Sequence, residues 1–443
     1  MTAILHRSPG SNLPFAVAGE GVFLIDADGK RYLDGSGGAA VSCLGHGHPR
    51  IIEAIQRQAG TLAYAHTAFF TQAPAEALAQ FLSDRAPMRE ARVFFTSGGS
   101  EGVETALKLA RQYHVARGDL TRTRFISRRF SYHGATLGAL SVSGHAARRA
   151  PYEPILSPCR FITPCYPYRE AGPDEDAAAF GQRVANELEA AILEDGPETI
   201  AAFIVEPVVG ATLGAVEAVP GYLARIREIC SRHGVLMIAD EVMCGMGRTG
   251  TLFACAHDTV QPDILVVAKG LAGGYQPIGA VLMSGSVYDA VTHENRRFEH
   301  GHTYIGHAIA CAAAHATQHT IEEEGLLDAV VARGHALRAR LADALTPLGI
   351  VGEIRGRGLL TGVELVEDPA TKTPFPKSCN LNARVKQLAF KEGLIVYPGG
   401  GSAGNGLGDH ILIAPPYIIS EDEVDCLVER LTLAVKAALP VPA

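Results

Sequence analysis

The sequence predicts an α/β protein with two parts. One is a large domain with a mainly parallel sheet covered by helices, and the other a smaller α+β domain built from both chain ends. Two patterns carry this. The middle of the 443-residue chain alternates short apolar runs with longer amphipathic ones, and both ends break that rhythm. The alternation gives candidate strands at 92–96, 124–127, 201–205, 235–239, 263–268 and 279–283, several with glycine, serine or an acid at the C-terminal end. Helical stretches lie between them, such as 101–116 and 222–233, the latter ended by Gly234. Strands alternating with helices in this way favour a parallel sheet covered on both faces, with ligands beyond the strands' carboxyl ends.

At the N-terminal end, 21–34 forms hairpin-like pieces around Asp28-Gly29. The C-terminal end reads as helix 326–345, strands over 358–366, helix 382–392, a loop 399–408, strand 411–414 and helix 420–438. The expected division is 1–65 as the N-terminal part of the small domain, 66–325 as the large domain, and 326–443 as the C-terminal part of the small domain. A chain this long exceeds one compact core.

Composition bounds the function. Thirty-nine Lys+Arg stand against 47 Asp+Glu, a net charge of −8 with no long basic run, which argues against nucleic acid or anionic membrane as the main partner. With 47% hydrophobic and 19% charged residues, the chain has ample material for a core. No apolar run approaches the roughly 18 residues of a spanning helix, and no basic-then-apolar leader opens the sequence. Nine scattered cysteines without a CxxC fit reduced thiols, so a cytoplasmic protein is expected.

Three features could carry chemistry. Lys269 follows the apolar run 264–268 and precedes Gly270-Leu271-Ala272-Gly273-Gly274. A lysine at the end of a buried strand is costly to charge, so its amine becomes the nucleophile that Schiff-base chemistry needs. Alone, it reads more readily as a lysine snorkelling to water. Asp240-Glu241 ends the run 235–239, where an acid holds a metal, a hydroxyl or a cationic heteroatom, or caps the next turn. Thr96-Ser97-Gly98-Gly99-Ser100 joins a strand to a helix. Small residues there leave backbone N–H groups free to surround a phosphate, although an ordinary βα turn has the same look.

Other patterns lead nowhere. Gly245-Met246-Gly247-Arg248-Thr249-Gly250 matches GxGxxG, with Asp263 18 residues past its first glycine, as in a nicotinamide-dependent dehydrogenase. Residues 240–244 nevertheless separate strand from glycine, and 251–255 opens a helix poorly. His46, His48, His300, His302 and His307 form no HExxH and show no ligand spacing with nearby carboxylates or cysteines, so no metal site is expected. No GxSxG elbow is present.

In combination the pieces resemble a class III pyridoxal-phosphate-dependent aminotransferase, on the type I aminotransferase fold. The resemblance runs from Leu44-Gly45-His46-Gly47-His48-Pro49 to Ala414-Pro415-Pro416. Its specific signal is Asp240-Glu241-Val242, then Gly247-Arg248-Thr249-Gly250, then Lys269, 29 residues after Asp240. Ser131-Tyr132-His133-Gly134 and His300-Gly301-His302-Thr303-Tyr304 are two further family motifs. The resemblance implies that Lys269 links to pyridoxal 5′-phosphate and moves the substrate proton, and that Asp240 pairs with the pyridine nitrogen. It also implies that Gly98, Gly99 and Ser100 hold the phosphate, that Tyr132 (with His133 beside it) and Val242 cover the two ring faces, and that Glu206 lies near the cofactor. Thr303 matches a threonine lent to the neighbouring subunit's phosphate, which implies a homodimer with shared active sites.

Departures inform the substrate. Relatives handling α-carboxylates or glutamate commonly pair a glutamate with an arginine where this chain has Ala211 and Leu412. Met243-Cys244 stands where ornithine- and aminobutyrate-type enzymes tend to carry Gln-Thr. The run 240–245 is closer to the omega-amine:pyruvate (omega-transaminase) subgroup, although loop 399–408 lacks the arginine often used there. The expected substrates are therefore an amine or omega-amino acid donor and a keto acid acceptor such as pyruvate. A decarboxylating or aminomutase relative shares Lys269 and Asp240 and is the nearest alternative.

Overall fold

In the computed structural model, residues 3–7, 10, 12–293 and 297–439 are described; the outermost ends of the expected domain division, 1–2 and 440–443, lie outside them. A seven-stranded sheet dominates the middle of the chain. In spatial order its strands are Arg92–Thr96, Gly279–Met283, Ile264–Val267, Leu236–Asp240, Ile200–Val205, Arg124–Arg128 and Cys159–Ile162. Only Gly279–Met283 runs antiparallel to its neighbours. Ile200–Val205, Leu236–Asp240 and Ile264–Val267 are buried at every position, which is why they read as unbroken apolar runs rather than alternating ones. The strand Cys159–Ile162 escaped the sequence reading. It is a four-residue edge strand with Arg160 inside it, too short and too polar to stand out.

Helices cover the sheet. Gly99–Ala116 presents Val103, Ala106, Leu107 and Ala110 to a core shared with Ile204, Ile238, Val266 and Val281. On the other face, Ala177–Asp195 and Tyr222–His233 enclose Phe203, Val205 and Met237. The second helix ends as expected at Gly234, whose φ of +64° lets its N–H turn back onto Ser231 and the next N–H reach the carbonyl of Cys230.

The two chain ends meet. Strand Arg31–Asp34 pairs in parallel with Leu394–Ile395, Leu33 opposite Leu394 and Asp34 opposite Ile395. One apolar cluster joins Val22, Leu33, Leu44 and Ile51 to Leu337, Leu365, Val385, Ile413 and Leu431. Two C-terminal expectations need correction. The strands expected within 358–366 are a hairpin, Val351–Arg357 and Leu360–Leu365, whose turn contains Gly358. The expected loop 399–408 is mostly strand: Tyr397–Gly404 and Leu407–Ile413 pair around a turn at Asn405-Gly406, where φ is +50° and +73°. Asn-Gly supplies those left-handed angles, so a glycine-rich stretch still closes a hairpin. The last helix, Glu421–Ala438, starts with a reciprocal capping box between Ser420 and Glu423.

Candidate active site

The carboxyl ends of the central strands open into a cavity of about 840 Å³. Lys269, Asp240, Gly98, Gly99, Ser100, Tyr132, His133, Glu206 and Val242 all line it. Residues spread over some 170 positions of sequence are thus brought together because each sits at or just past the end of a strand or in the adjoining turn.

Lys269 follows the buried strand Ile264–Val267 and holds φ at +46°, a conformation that a side-chain-bearing residue adopts only under constraint. Burial pushes its ammonium below the ordinary lysine value, against the opposing attraction of Asp240 and Glu206. A neutral amine is therefore more accessible here than on a surface lysine.

Asp240 ends its strand almost fully buried. Its Oδ2 lies 2.7 Å from His133 Nδ1, and its Oδ1 accepts the Val242 N–H at 3.1 Å. His133 is held in turn by Ser127 Oγ, 3.2 Å from Nε2, and by its own N–H donating to Ser143 Oγ. The imidazole thus stands behind the carboxylate and sets its orientation. Glu206 is buried too, and burial raises its pKa. Its oxygens accept the N–H groups of Tyr132 and Gly210, at 3.2 and 3.0 Å, so it fixes the loop carrying Tyr132.

Helix Gly99–Ala116 begins at Gly98 without a side-chain cap. The Glu101 carboxylate takes the Ser97 N–H at 2.8 Å, leaving the first helical turn facing the cavity. A Cβ on Gly99 would come within 2.8 Å of Val242 Cγ1, and one on Gly134 within 2.7 Å of Ser100 Oγ. The turn is therefore packed so closely that glycine is required, while the space beside Gly98 is open. Such a cradle of backbone N–H groups at a helix start suits a phosphate.

Residues 6–435 match the family described as Aminotransferase class-III. The chain belongs to the class III aminotransferase family. An uncharacterized aminotransferase of Schizosaccharomyces pombe is 41% identical over 441 residues, covering 99% of this chain and 96% of the relative. A probable aminotransferase of Mycobacterium tuberculosis is 40% identical, covering 95% and 89%. Among solved structures, an (S)-enantioselective omega-transaminase from Thermomicrobium roseum superposes with a TM-score of 0.91 at 37% identity, covering 98% of this chain and 96% of that one. The protein is a pyridoxal-phosphate-dependent aminotransferase. Its residues fit that cofactor: a buried amine of lowered pKa, a buried oriented carboxylate and a phosphate cradle share one cavity.

Two of the expected site residues stand apart from the rest. His133, expected among the cofactor contacts, lines the cavity but spends its Nδ1 on Asp240. Thr303 does not line the cavity of its own chain. It is exposed, with its carbonyl accepting the Tyr64 hydroxyl at 3.0 Å. The glycine-rich run 245–250 forms successive turns followed only by the short 3-10 helix Ala254–Asp258, and Arg248 within it is buried against the carbonyls of Leu359 and Pro415. It therefore ties the C-terminal segment to the site rather than building a dinucleotide turn.

On the substrate side, Leu412 is 1% exposed and packs with Ala40, Val208, Ala215, Leu360 and Ala414; Ala211, Met243 and Tyr397 lie against that cluster and line the cavity. Arg7, Arg148 and Gln276 also line it and were missed. Arg148 is 16 residues past Tyr132 with no periodic link to any motif, so nothing in the spacing marked it.

Proposed function

We propose that the enzyme moves an amino group from a primary amine or an omega-amino acid to a keto acid such as pyruvate, as a cytoplasmic homodimer. The observation that carries the substrate half is the apolar cluster around Ala211 and Leu412, at the positions where glutamate-handling relatives pair two charges. An uncharged donor substituent gains from that wall by desolvation, whereas a second carboxylate finds no partner in it.

Lys269 would hold the cofactor and, once displaced by the donor amine, take the proton from the donor's Cα. Asp240, oriented by His133, would keep the pyridine nitrogen protonated. The Gly98–Ser100 turn would bind the phosphate, and Tyr132 and Val242 would confine the ring. Bound pyridoxal phosphate supplies the electron sink for the pair left when the Cα–H bond breaks. The same residues run in reverse with the keto acid, so Lys269 returns the proton at the acceptor carbon. Burial serves both directions, because a pKa lowered by desolvation makes the neutral amine more accessible between proton uptake and release.

Thr303 supports the dimer. It lies beside Tyr304, and Leu62, Tyr64, Phe69 and Phe70 are exposed nearby in sequence to Tyr64, which bonds to it. Exposed apolar residues of this size favour a protein partner, and a second copy would bring its Thr303 to the phosphate end of this cavity. In the same reading the chain divides at 65/66 and 325/326, with its ends folding together.

Steady-state assays test the substrate reading. Primary amines with pyruvate should give the highest kcat/KM, ahead of glutamate with 2-oxoglutarate; the reverse order would refute it.

A further inference from the structure

We propose that Arg148 binds the carboxylate of the keto acid acceptor. This rests on the keto-acid half of the function proposed above and adds the residue responsible. The cavity wall carries three cations: Lys269, Arg7 and Arg148. Lys269 is committed to the cofactor. Arg7 sits in the N-terminal segment, outside any helix or strand.

Arg148 is differently placed. It belongs to a single helical turn, Ala146–Arg149, and its neighbour Arg149 pins that turn from below. Arg149 Nη1 donates to the carbonyls of Leu140, Ser141 and Ser143, at 2.9, 2.6 and 3.1 Å, and Nη2 to Glu153 at 3.0 Å. With Arg149 buried, the side chain of Arg148 extends along the cavity side. Its guanidinium lies over the Tyr132 ring, 4.5 Å from the centroid. Arg148 is exposed, and among the described residues no carboxylate forms an ion pair with it, whereas the buried Arg149 and Arg248 donate to backbone carbonyls. Stacking holds the guanidinium plane without consuming its N–H donors. It therefore presents a free two-pronged donor to the cavity, the geometry that matches a carboxylate. The charge also reaches Lys269, whose ammonium it disfavours.

The placement explains how the enzyme can accept a keto acid without the Ala211/Leu412 charge pair or an arginine in 399–408. The anchor is instead the guanidinium stacked on Tyr132. A fixed platform there leaves the apolar cluster free for the donor's substituent.

The test compares pyruvate with propanal, an acceptor of similar size lacking the carboxylate, using one amine donor. In Arg148→Leu the ratio of kcat/KM for pyruvate to that for propanal should fall 10- to 100-fold, chiefly through the pyruvate KM, and Arg148→Lys should recover part of it. Calorimetric titration of the cofactor-loaded protein with propanoate should show a matching loss of affinity. An unchanged ratio, or an equal fall for both acceptors, overturns the proposal. An equal fall would assign Arg148 to supporting Tyr132, and a ratio that collapses in Arg7→Ala instead would move the anchor there. A wild type that does not prefer pyruvate over propanal would refute the keto-acid reading itself, before any variant is made.

Discussion

Replacing Leu412 by arginine restores half of the charge pair that this chain lacks, and the structure sets its cost. The leucine is 1% exposed and meets Ala40, Val208, Ala215, Leu360 and Ala414. Removing it forfeits about 1.5–3 kcal/mol of burial. The incoming guanidinium finds no free acid. Glu364, two ladder steps away opposite His410, already accepts from Tyr166, Arg169, Arg355 and Ser402. An uncompensated buried charge brings the total to about 3–5 kcal/mol. Ala211→Glu adds the missing partner, and the double variant should regain about 1.5–3 kcal/mol of coupling. Urea unfolding of wild type, both single variants and the double, each loaded with cofactor, closes the cycle. The double variant should also gain activity with 2-oxoglutarate relative to Leu412→Arg alone. If Leu412→Arg is as stable as wild type, or the coupling is zero, the apolar wall is not the closed surface on which the substrate assignment depends.

Two further perturbations probe other parts of the structure. Gly99→Ala drives a methyl to within 2.8 Å of Val242 Cγ1 and 3.1 Å of Cγ2, so Val242 must shift into the cavity. Overpacking of this kind costs about 1–3 kcal/mol, and the cofactor Kd, read by fluorescence titration, should rise about tenfold; an unchanged Kd would show the turn to be adaptable. Glu364→Gln strands Arg169 and Arg355 and should cost about 3–5 kcal/mol in urea unfolding. Burial alone would raise the Glu364 carboxyl, but Arg355, His410 and Arg169 outweigh it and hold it at about 2, below its ordinary 4.5. Its contribution is thus fully present above pH 4.5 and lost as pH falls from there toward 2. The wild type should lose stability over that range more steeply than Glu364→Gln, and parallel acid limbs would contradict the assignment.

The seven-stranded sheet was legible because its central strands are buried on both faces, so the unbroken runs ending at Val205, Asp240 and Val267 announce themselves. Their carboxyl ends then point to Lys269 and Asp240 without any tertiary information. The C-terminal sheet was harder. Its glycine-rich strand Tyr397–Gly404 offers no alternation, since His410 fills the space that a side chain at Gly399 would need. The Asn405-Gly406 turn signal was passed over and the stretch read as a loop. His133 was found through its motif, but its partner was not, because Asp240 lies 107 positions away and only the sheet order brings them to 2.7 Å. Arg148 was illegible for a related reason. A cation becomes an anchor through what surrounds it, and the Tyr132 ring and the Arg149 staple come from the fold rather than from spacing.

The central claim is that Lys269 carries the cofactor at a cavity built by Asp240 and the Gly98–Ser100 turn. The most direct measurement is borohydride reduction of the protein saturated with pyridoxal phosphate, followed by digestion and mass spectrometry. The added phosphopyridoxyl mass should map to the peptide containing Lys269, and Lys269→Ala should carry none. Labelling of a different lysine in the wild type, or equal labelling of the variant, would contradict the account.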